Sequence, residues 1–413
     1  MEEWKEYKLG EIAQIQTGPF GSQLHKSDYV DDGVPCIMPT NIGKNLDVIS
    51  DGIAHISEND AQRLSRHLVT AGDIIYARRG DIEKCAYIQE QQNGWFCGTG
   101  CLRIRINKDA DSHFIAYQLS TSEAKSWIVG NAVGTTMLNL NSSILSDLPV
   151  LLPSLFTQRH ITAILKSFDD KIEVNRRIND NLEQEVQELF KSWFVDFEPF
   201  RDQPFVESEL GRIPEGWKVV SLADVCKCLL GGTPSRNHDE YWNGDIPWIN
   251  SGEVNNFRIL SPTEYITKEG LDKSATKLLP VHTTVLAITG ATLGQVSLLE
   301  IKSCANQSVI GVLENADVPY SFIYPLICYN INELMSHMTG GAQQHINKNN
   351  VEQLKVVLPS QNIMQNYNDI VSALFEKISN NCFISTNLST LRDTLLPRLM
   401  SGELKINDIE KSL

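Results

Sequence analysis

The chain has 413 residues, 42% hydrophobic and 21% charged, with 36 basic residues against 51 acidic, giving a formal net charge of −15. At roughly 100 to 200 residues per domain, this is a folded chain of about two to four domains, and a mainly disordered protein is excluded. The acidic balance also argues against a protein that holds nucleic acid by its overall field, because neutralising phosphates needs surplus Lys and Arg.

The N-terminus is charged from Glu2 onward, and no run approaches the ~20 apolar residues of a membrane span. Nine cysteines, with no Cys-x-x-Cys pair and no His at zinc-finger spacing, read as reduced thiols. A cytoplasmic protein outside the bilayer is expected.

Residues 1–153 are predicted as a mixed α/β domain with substantial strand content. Short apolar runs such as Asp73-Ile74-Ile75-Tyr76-Ala77 and Leu102-Arg103-Ile104-Arg105-Ile106 have strand length and are bounded by turn residues. Residues 154–200 change texture, with neither Gly nor Pro from 154 to 195, and are predicted as a long helix. Ile161, Phe168, Asn175, Leu182 and Leu189 fall at d positions of a heptad, and Leu165, Ile172, Asn179, Val186 and Trp193 at a, which is a coiled-coil seam. The helix ends in an aromatic run, Phe190, Trp193, Phe194, Phe197 and Phe200, larger than one seam buries.

Residues 201–358 return to α/β texture, and 359–413 form a second helix with a tail. Trp4-Lys5, Leu9 and Ile12 recur as Trp217-Lys218, Leu222 and Val225, and Gly18 falls on Gly231, all 213 residues later. Leu148, Pro153, Lys171, Ile172, Asn181, Leu182 and Leu189 recur 206 residues later as Leu354, Pro359, Lys377, Ile378, Asn387, Leu388 and Leu395. The chain is therefore an internal repeat of α+β class, expected to carry two α/β domains and two antiparallel coiled-coil helices about a pseudo-two-fold axis. Shifting the seam by 206 gives a weaker one, interrupted by Arg392, with Asn381 and Ser385 matching Asn175 and Asn179. These polar residues either form a buried layer that fixes helix register or lie on a solvated face.

No catalytic constellation is found. Phe96-Cys97-Gly98-Thr99-Gly100 has the F-x-G-x-G pattern of methyltransferase cofactor loops, but it runs into a strand-like segment and reads as a β-turn. Gly290 to Gly294 lacks the Gly-Lys-Ser/Thr ending of a P-loop, and Glu300-Ile301-Lys302 lacks the partner acid of a nuclease. No histidine has metal-ligand or nucleophile spacing.

What remains is a set of polar, glycine-flanked loops at equivalent places in both domains. The first domain offers Thr17, Phe20, Ser22, Asn41, Arg78, Arg79, Thr135 and Thr136. The second offers Thr233, Ser235, Arg236, Asn250, Ser251, Thr289, Thr292, Gln343 and Gln344. Such side chains read base edges, and glycine lets backbone amides approach phosphate, so these are candidate DNA contacts; turn chemistry alone also accounts for any single loop. The acidic excess is spread along the chain, so a basic surface must be local, around Arg63, Arg66, Arg78 and Arg79, with Arg236 and Lys348 in the second domain.

The repeated unit, the helix openings at Pro153-Ser154 and Pro359-Ser360, and the Pro-Glu-Gly-Trp at 214–217 resemble the specificity subunit of type I restriction-modification systems. So do the segments Leu189 to Phe197 and Leu395-Leu396-Pro397-Arg398-Leu399-Met400-Ser401-Gly402-Glu403-Leu404. The resemblance implies two target-recognition domains, each reading half of a split asymmetric sequence in double-stranded DNA, held apart by the spacer helices. It implies two methyltransferase subunits for adenine modification and two motor-nuclease subunits where restriction occurs. S-adenosylmethionine, ATP and Mg²⁺ then belong to those partners, and none to this chain. Phe190, Trp193, Phe194 and Phe197 either dock a methyltransferase subunit or cap the junction between helix and domain. A non-catalytic recognition subunit is expected, with a coiled-coil scaffold carrying two protein-binding domains as the alternative.

Overall fold

Heptad spacing without internal glycine gives two helices of 40 residues each, Leu155–Phe194 and Gln361–Met400. A computed structural model describes residues 4–107, 110–134, 138–336 and 345–404. The chain divides into two units, Met1–Ile172 with Asn387–Leu413, and Glu173–Thr386, so each unit takes one α/β domain and a part of both helices.

In the first unit, strands Ala13–Thr17, Cys101–Ile106, Ile74–Ala77 and Cys85–Tyr87 form an antiparallel sheet in that spatial order. In the second, Lys227–Leu230, Val309–Leu313, Thr284–Ala287 and Val296–Leu298 repeat the order and the antiparallel pairing. A second sheet follows in each unit, of four strands in the first and three in the second, with Val34–Ile37 pairing in parallel with Phe96–Cys97, and Trp242–Ile249 with Cys304–Ala305. A third ribbon closes each domain: Lys5 faces Leu152 in one, and Lys218 faces Leu358 in the other. From the first ribbon to the second, Lys5 shifts by 213 and Leu152 by 206, the offsets that align the two halves of the sequence.

The first-unit core joins Leu9, Ile74, Phe114 and Leu145 of the domain to Ile161, Leu165, Leu399 and Met400 of the helices. The second-unit core likewise joins Leu286, Ile310 and Phe322 to Val186, Phe190, Tyr367 and Val371. Domain and helix segments of a unit thus share one apolar core, a consequence of amphipathic helices burying their seam against the nearest sheet-and-helix layer.

The seam residues are buried or half-buried along both helices. Within the second unit the helix segments run antiparallel. Asn175 donates from Nδ2 to Ser385 Oγ at 3.1 Å, Asn381 donates to Asn179 Oδ1 at 2.9 Å, and Asn179 donates to the Ile378 carbonyl at 3.3 Å. Asn175, Asn179 and Asn381 are buried, so these amides form a layer inside the seam. Arg392 interrupts the heptad because it makes an ion pair with Asp169 at 2.6 Å and donates to Asn45 Oδ1 at 3.2 Å, all within the first unit. Asp169 also accepts from Tyr117 Oη, which ties that helix segment to the first domain.

Candidate nucleic-acid interface

Two equivalent glycines set the loops that follow the first strand of each sheet. A Cβ on Gly18 would lie 2.2 Å from the Gly98 carbonyl oxygen, and one on Gly231 would lie 2.1 Å from that of Asn306. The Gly18 amide donates to the Cys101 carbonyl at 2.9 Å, and the Gly231 amide to that of Val309 at 3.0 Å. Only glycine permits this backbone approach. Phe20, two residues further along, has its place taken by Thr233 in the second domain.

The loops at Gly80 and Gly290 are likewise equivalent, with φ of +77° and +79°. The residue opening each loop receives a bond from the segment that closes the domain: Leu140 N donates to the Arg78 carbonyl at 2.9 Å, and Ile346 N to the Ile288 carbonyl at 3.0 Å. The Arg78 amide in turn donates to the Gly100 carbonyl at 2.8 Å, and the Ile288 amide to that of Ser308 at 2.9 Å. Loops far apart in sequence therefore converge on one end of each sheet.

In the first unit this brings Phe20, Arg78 and Arg79 together. The Arg78 guanidinium lies 5.6 Å from the Phe20 ring centroid, and Arg79 forms an isolated antiparallel bridge with Asn139. Arg78 Nε, Thr99 Oγ1 and Asn139 Oδ1 are buried without a hydrogen-bond partner. Core atoms such as Tyr76 Oη and Tyr367 Oη share this lack of a partner, so it accompanies burial and does not by itself mark a ligand. Burial, with Arg79 adding positive charge, lowers the Arg78 pKa from its usual value. Ser22 is exposed and Thr17 half-buried.

Other candidates have structural employment. Asn41 is buried; its side-chain carbonyl accepts from Met38 N at 3.0 Å and its amide donates to the Ile49 carbonyl at 3.1 Å, so it shapes its own turn instead of facing solvent. Asn250 Oδ1 accepts from Gly252 N at 2.7 Å, again a turn. Ser251, Thr289 and Thr292 are half-buried. Thr135, Thr136, Gln343 and Gln344 lie outside the described residues.

Around Arg236 the second unit builds a rigid cluster. Its guanidinium stacks on Trp242 at 3.5 Å and makes a two-pronged pair with Glu264 at 2.6 and 2.8 Å. Trp242 Nε1 donates to the Ser235 carbonyl at 3.2 Å, and Thr233 Oγ1 donates to the exposed Gln307. The local basic surface expected from sequence is smaller than six residues. Arg236, Arg63 and Lys348 are compensated by Glu264, Asp60 and Glu352, which leaves Arg66, Arg78 and Arg79 without a carboxylate partner among the described residues.

Arg66 and its neighbour His67 sit over the first sheet. Arg103 donates to the Arg66 and Leu68 carbonyls at 2.8 Å each, and Arg66 Nε lies 3.0 Å from His67 Nε2. Burial, together with Arg66 and Arg103, pushes the His67 pKa down to about 4. The folded state then binds fewer protons than the unfolded chain between about pH 4 and 6.5. Stability from this group is complete above the unfolded value and is lost as pH falls through that window. The thermal midpoint should therefore fall less steeply between pH 6.5 and 5 for His67→Gln than for the unaltered chain, measured by circular dichroism at several pH values.

The aromatic run at the end of the central helix corrects an expectation. Phe190 and Phe194 are 2% and 4% exposed, and Phe194 packs on Phe322, Tyr367 and Trp217 with ring centroids 4.9, 4.8 and 5.9 Å apart. Trp193 and Phe197 are half-buried against Phe200 and Trp217. Phe190 and Phe194 are core, so they offer no docking face. They cap the junction because Trp217, at the start of the second domain, fills the same cluster.

Sequence reading missed Thr99, Asn139 and Gln307. Thr99 lay in a segment read only as a turn, and nothing local distinguishes Asn139 or Gln307 from other loop amides. Among the described residues no cluster of His, Cys, Asp and Glu could hold a metal ion, and no helix is long and apolar enough to cross a membrane.

The family model described as "Type I restriction modification DNA specificity domain" matches residues 1–184 and 214–384. The chain is 27% identical over 414 residues to the type I restriction enzyme MjaIX specificity subunit of Methanocaldococcus jannaschii, covering 98% of this chain and 95% of that protein. It is 24% identical to the HindI specificity subunit of Haemophilus influenzae, over 98% of this chain and all of that one. The crystal structure of a type I restriction-modification S subunit from M. genitalium has the same fold, with a TM-score of 0.60, 16% identity and 96% coverage of both chains. With two family domains, one in each half of the repeat, the chain belongs to the type I restriction-modification DNA specificity family.

Proposed function

We propose that this chain is the non-catalytic subunit that reads a bipartite, asymmetric DNA target, one half-site per recognition domain, and docks two methyltransferase subunits for adenine modification. Two motor-nuclease subunits join in systems that also restrict. One observation carries the reading: two domains whose main sheets share one strand order present different side chains on equivalent loops, Phe20 against Thr233 and Arg78 against Ile288. A shared frame with altered contents suits two readers of different sequences.

S-adenosylmethionine, ATP and Mg²⁺ belong on the partner subunits in this reading, which accords with the lack of a cofactor motif in the chain. The sparse cationic surface fits a division of labour in which the methyltransferase subunits make most phosphate contacts. The isolated chain then binds DNA weakly and with a shallower salt dependence than the complex. The buried amides Asn175, Asn179 and Asn381, with Ser385, set the register of the helix pair. Inserting four residues into one helix adds ~6 Å, so the unread gap should grow by about one to two base pairs at ~3.4 Å each.

Co-expression with the partner methyltransferase, followed by sequencing that maps modified adenines, should reveal two half-sites at a fixed gap. Exchanging the segments at 78–81 and 289–294 should alter the modified sequence. A contiguous motif, or unchanged modification after the exchange, would contradict the reading, and absence of any sequence-dependent footprint would favour a protein-binding scaffold.

A further inference from the structure

Phe20 is 55% exposed on a loop that is otherwise held firmly. Gly18 is pinned to Cys101, Pro19 is buried, and the Phe20 carbonyl accepts from Gln23 N at 2.8 Å and Leu24 N at 3.2 Å. Phe20 N donates to Gln23 Oε1 at 3.3 Å, and Arg63 Nη2 donates to the Gln23 carbonyl at 3.1 Å. A large apolar ring is thus displayed on a braced support, beside the Arg78 guanidinium. The Arg78 backbone is itself fixed, its amide bonded to the Gly100 carbonyl at 2.8 Å and its carbonyl to Leu140 N at 2.9 Å. Phe156, 70% exposed, instead lies against His160 on the first turn of a helix.

Resting on the functional reading above, the geometry points to Phe20 as a wedge that stacks on a base of the half-site read by the first domain. Every base has a π face, so a ring gains by stacking wherever a step opens, and apolar wedges are a recurrent way to kink a duplex. Arg78 behind the ring adds positive charge next to the DNA backbone. The second domain has Thr233 at this place, bonded to Gln307, so it carries no equivalent ring. The two half-sites are therefore distorted differently, and only one contains an opened step.

The test uses the complex with its methyltransferase on the mapped target duplex. 2-Aminopurine is placed at successive positions through both half-sites, and fluorescence reports unstacking. An opened step should appear in one half-site, disappear with Phe20→Ala and persist with Phe20→Trp. Phe20→Ala should bind the target about tenfold more weakly, the order of one base–aromatic stack. The methyltransferase itself flips its target adenines, so unstacking confined to those adenines in the unaltered complex, or a step that survives Phe20→Ala, overturns the wedge. Failure of Phe20→Ala to co-purify with the methyltransferase also overturns it, by making the ring a protein contact. If the unaltered complex shows no sequence-dependent binding, the functional reading falls and the wedge with it.

Discussion

Phe194→Ala should lower the stability of the second unit by about 3 to 5 kcal/mol, the usual cost of emptying an aromatic core site. Phe194 is 4% exposed and its ring meets Phe190, Phe322, Tyr367 and Trp217 at centroid distances between 4.8 and 5.9 Å. Removing it opens a cavity lined by four rings from the central helix, the second domain and the C-terminal helix. Phe190 and Phe322 pack on each other, Trp217 on Phe200 and Tyr367 on Trp193, so the lining rings are held from behind and the cavity persists. Against a typical total of about 5 to 15 kcal/mol, that is a large fraction. Urea unfolding followed by tryptophan fluorescence reads it directly, since Trp193 and Trp217 lie in the cluster. Phe156→Ala supplies the control: at 70% exposure it should change stability by less than about 0.5 kcal/mol. An unaltered midpoint for Phe194→Ala, with lost subunit assembly, would restore the docking role that the structure denies this ring.

Arg258→Met is expected to cost about 3 kcal/mol, for an electrostatic reason. The Arg258 side chain is fully buried. It donates to Glu183 at 2.8 Å and to Tyr324 Oη at 3.2 Å, and its Nε lies 3.8 Å from Glu300. Glu300 in turn accepts from Ser379 Oγ at 2.8 Å. One guanidinium therefore neutralises a carboxylate of the central helix and one of the second domain. Removing it strands Glu300, whose side chain is 4% exposed, and leaves Glu183 without its partner. Breaking a buried pair in this way costs about 3 to 5 kcal/mol, and the lower end applies because Glu183 retains 18% exposure. Combining Arg258→Met with Glu183→Leu and Glu300→Leu should recover much of the loss, since an apolar replacement of a buried ion network is often neutral. A double-mutant cycle on urea midpoints measures the coupling. No loss for the single substitution would show that water reaches the site.

The repeat was legible because packing demands act on periodic, local features. Seam positions from Ile161 to Trp193 and from Tyr367 to Leu399 repeat at heptad spacing, and each of them is buried or half-buried. Gly18 and Gly231 were visible as a pair at constant offset, and the structure supplies the cause, a carbonyl oxygen about 2 Å from where each Cβ would stand. The candidate loops were less legible. Asn41 and Asn250 have the chemistry of base readers, but in both cases the side chain satisfies a nearby backbone group. Polar residues favour turns and ligands alike, and composition does not separate the two.

The sequence by itself determined the duplication, the α+β class, the two 40-residue helices and the resemblance to a recognition subunit. Each of these rests on periodicity, offset or local motifs, which a linear chain displays. Only the tertiary structure decided which charges are free and which rings are exposed. Arg236 is compensated by Glu264 twenty-eight residues away, while Arg78 keeps an unpartnered nitrogen. Phe194 is core although its aromatic run read equally as a docking face, and Phe20 is displayed on its loop. Pairing and burial depend on distances between residues remote in sequence, and those distances exist only once the chain has folded.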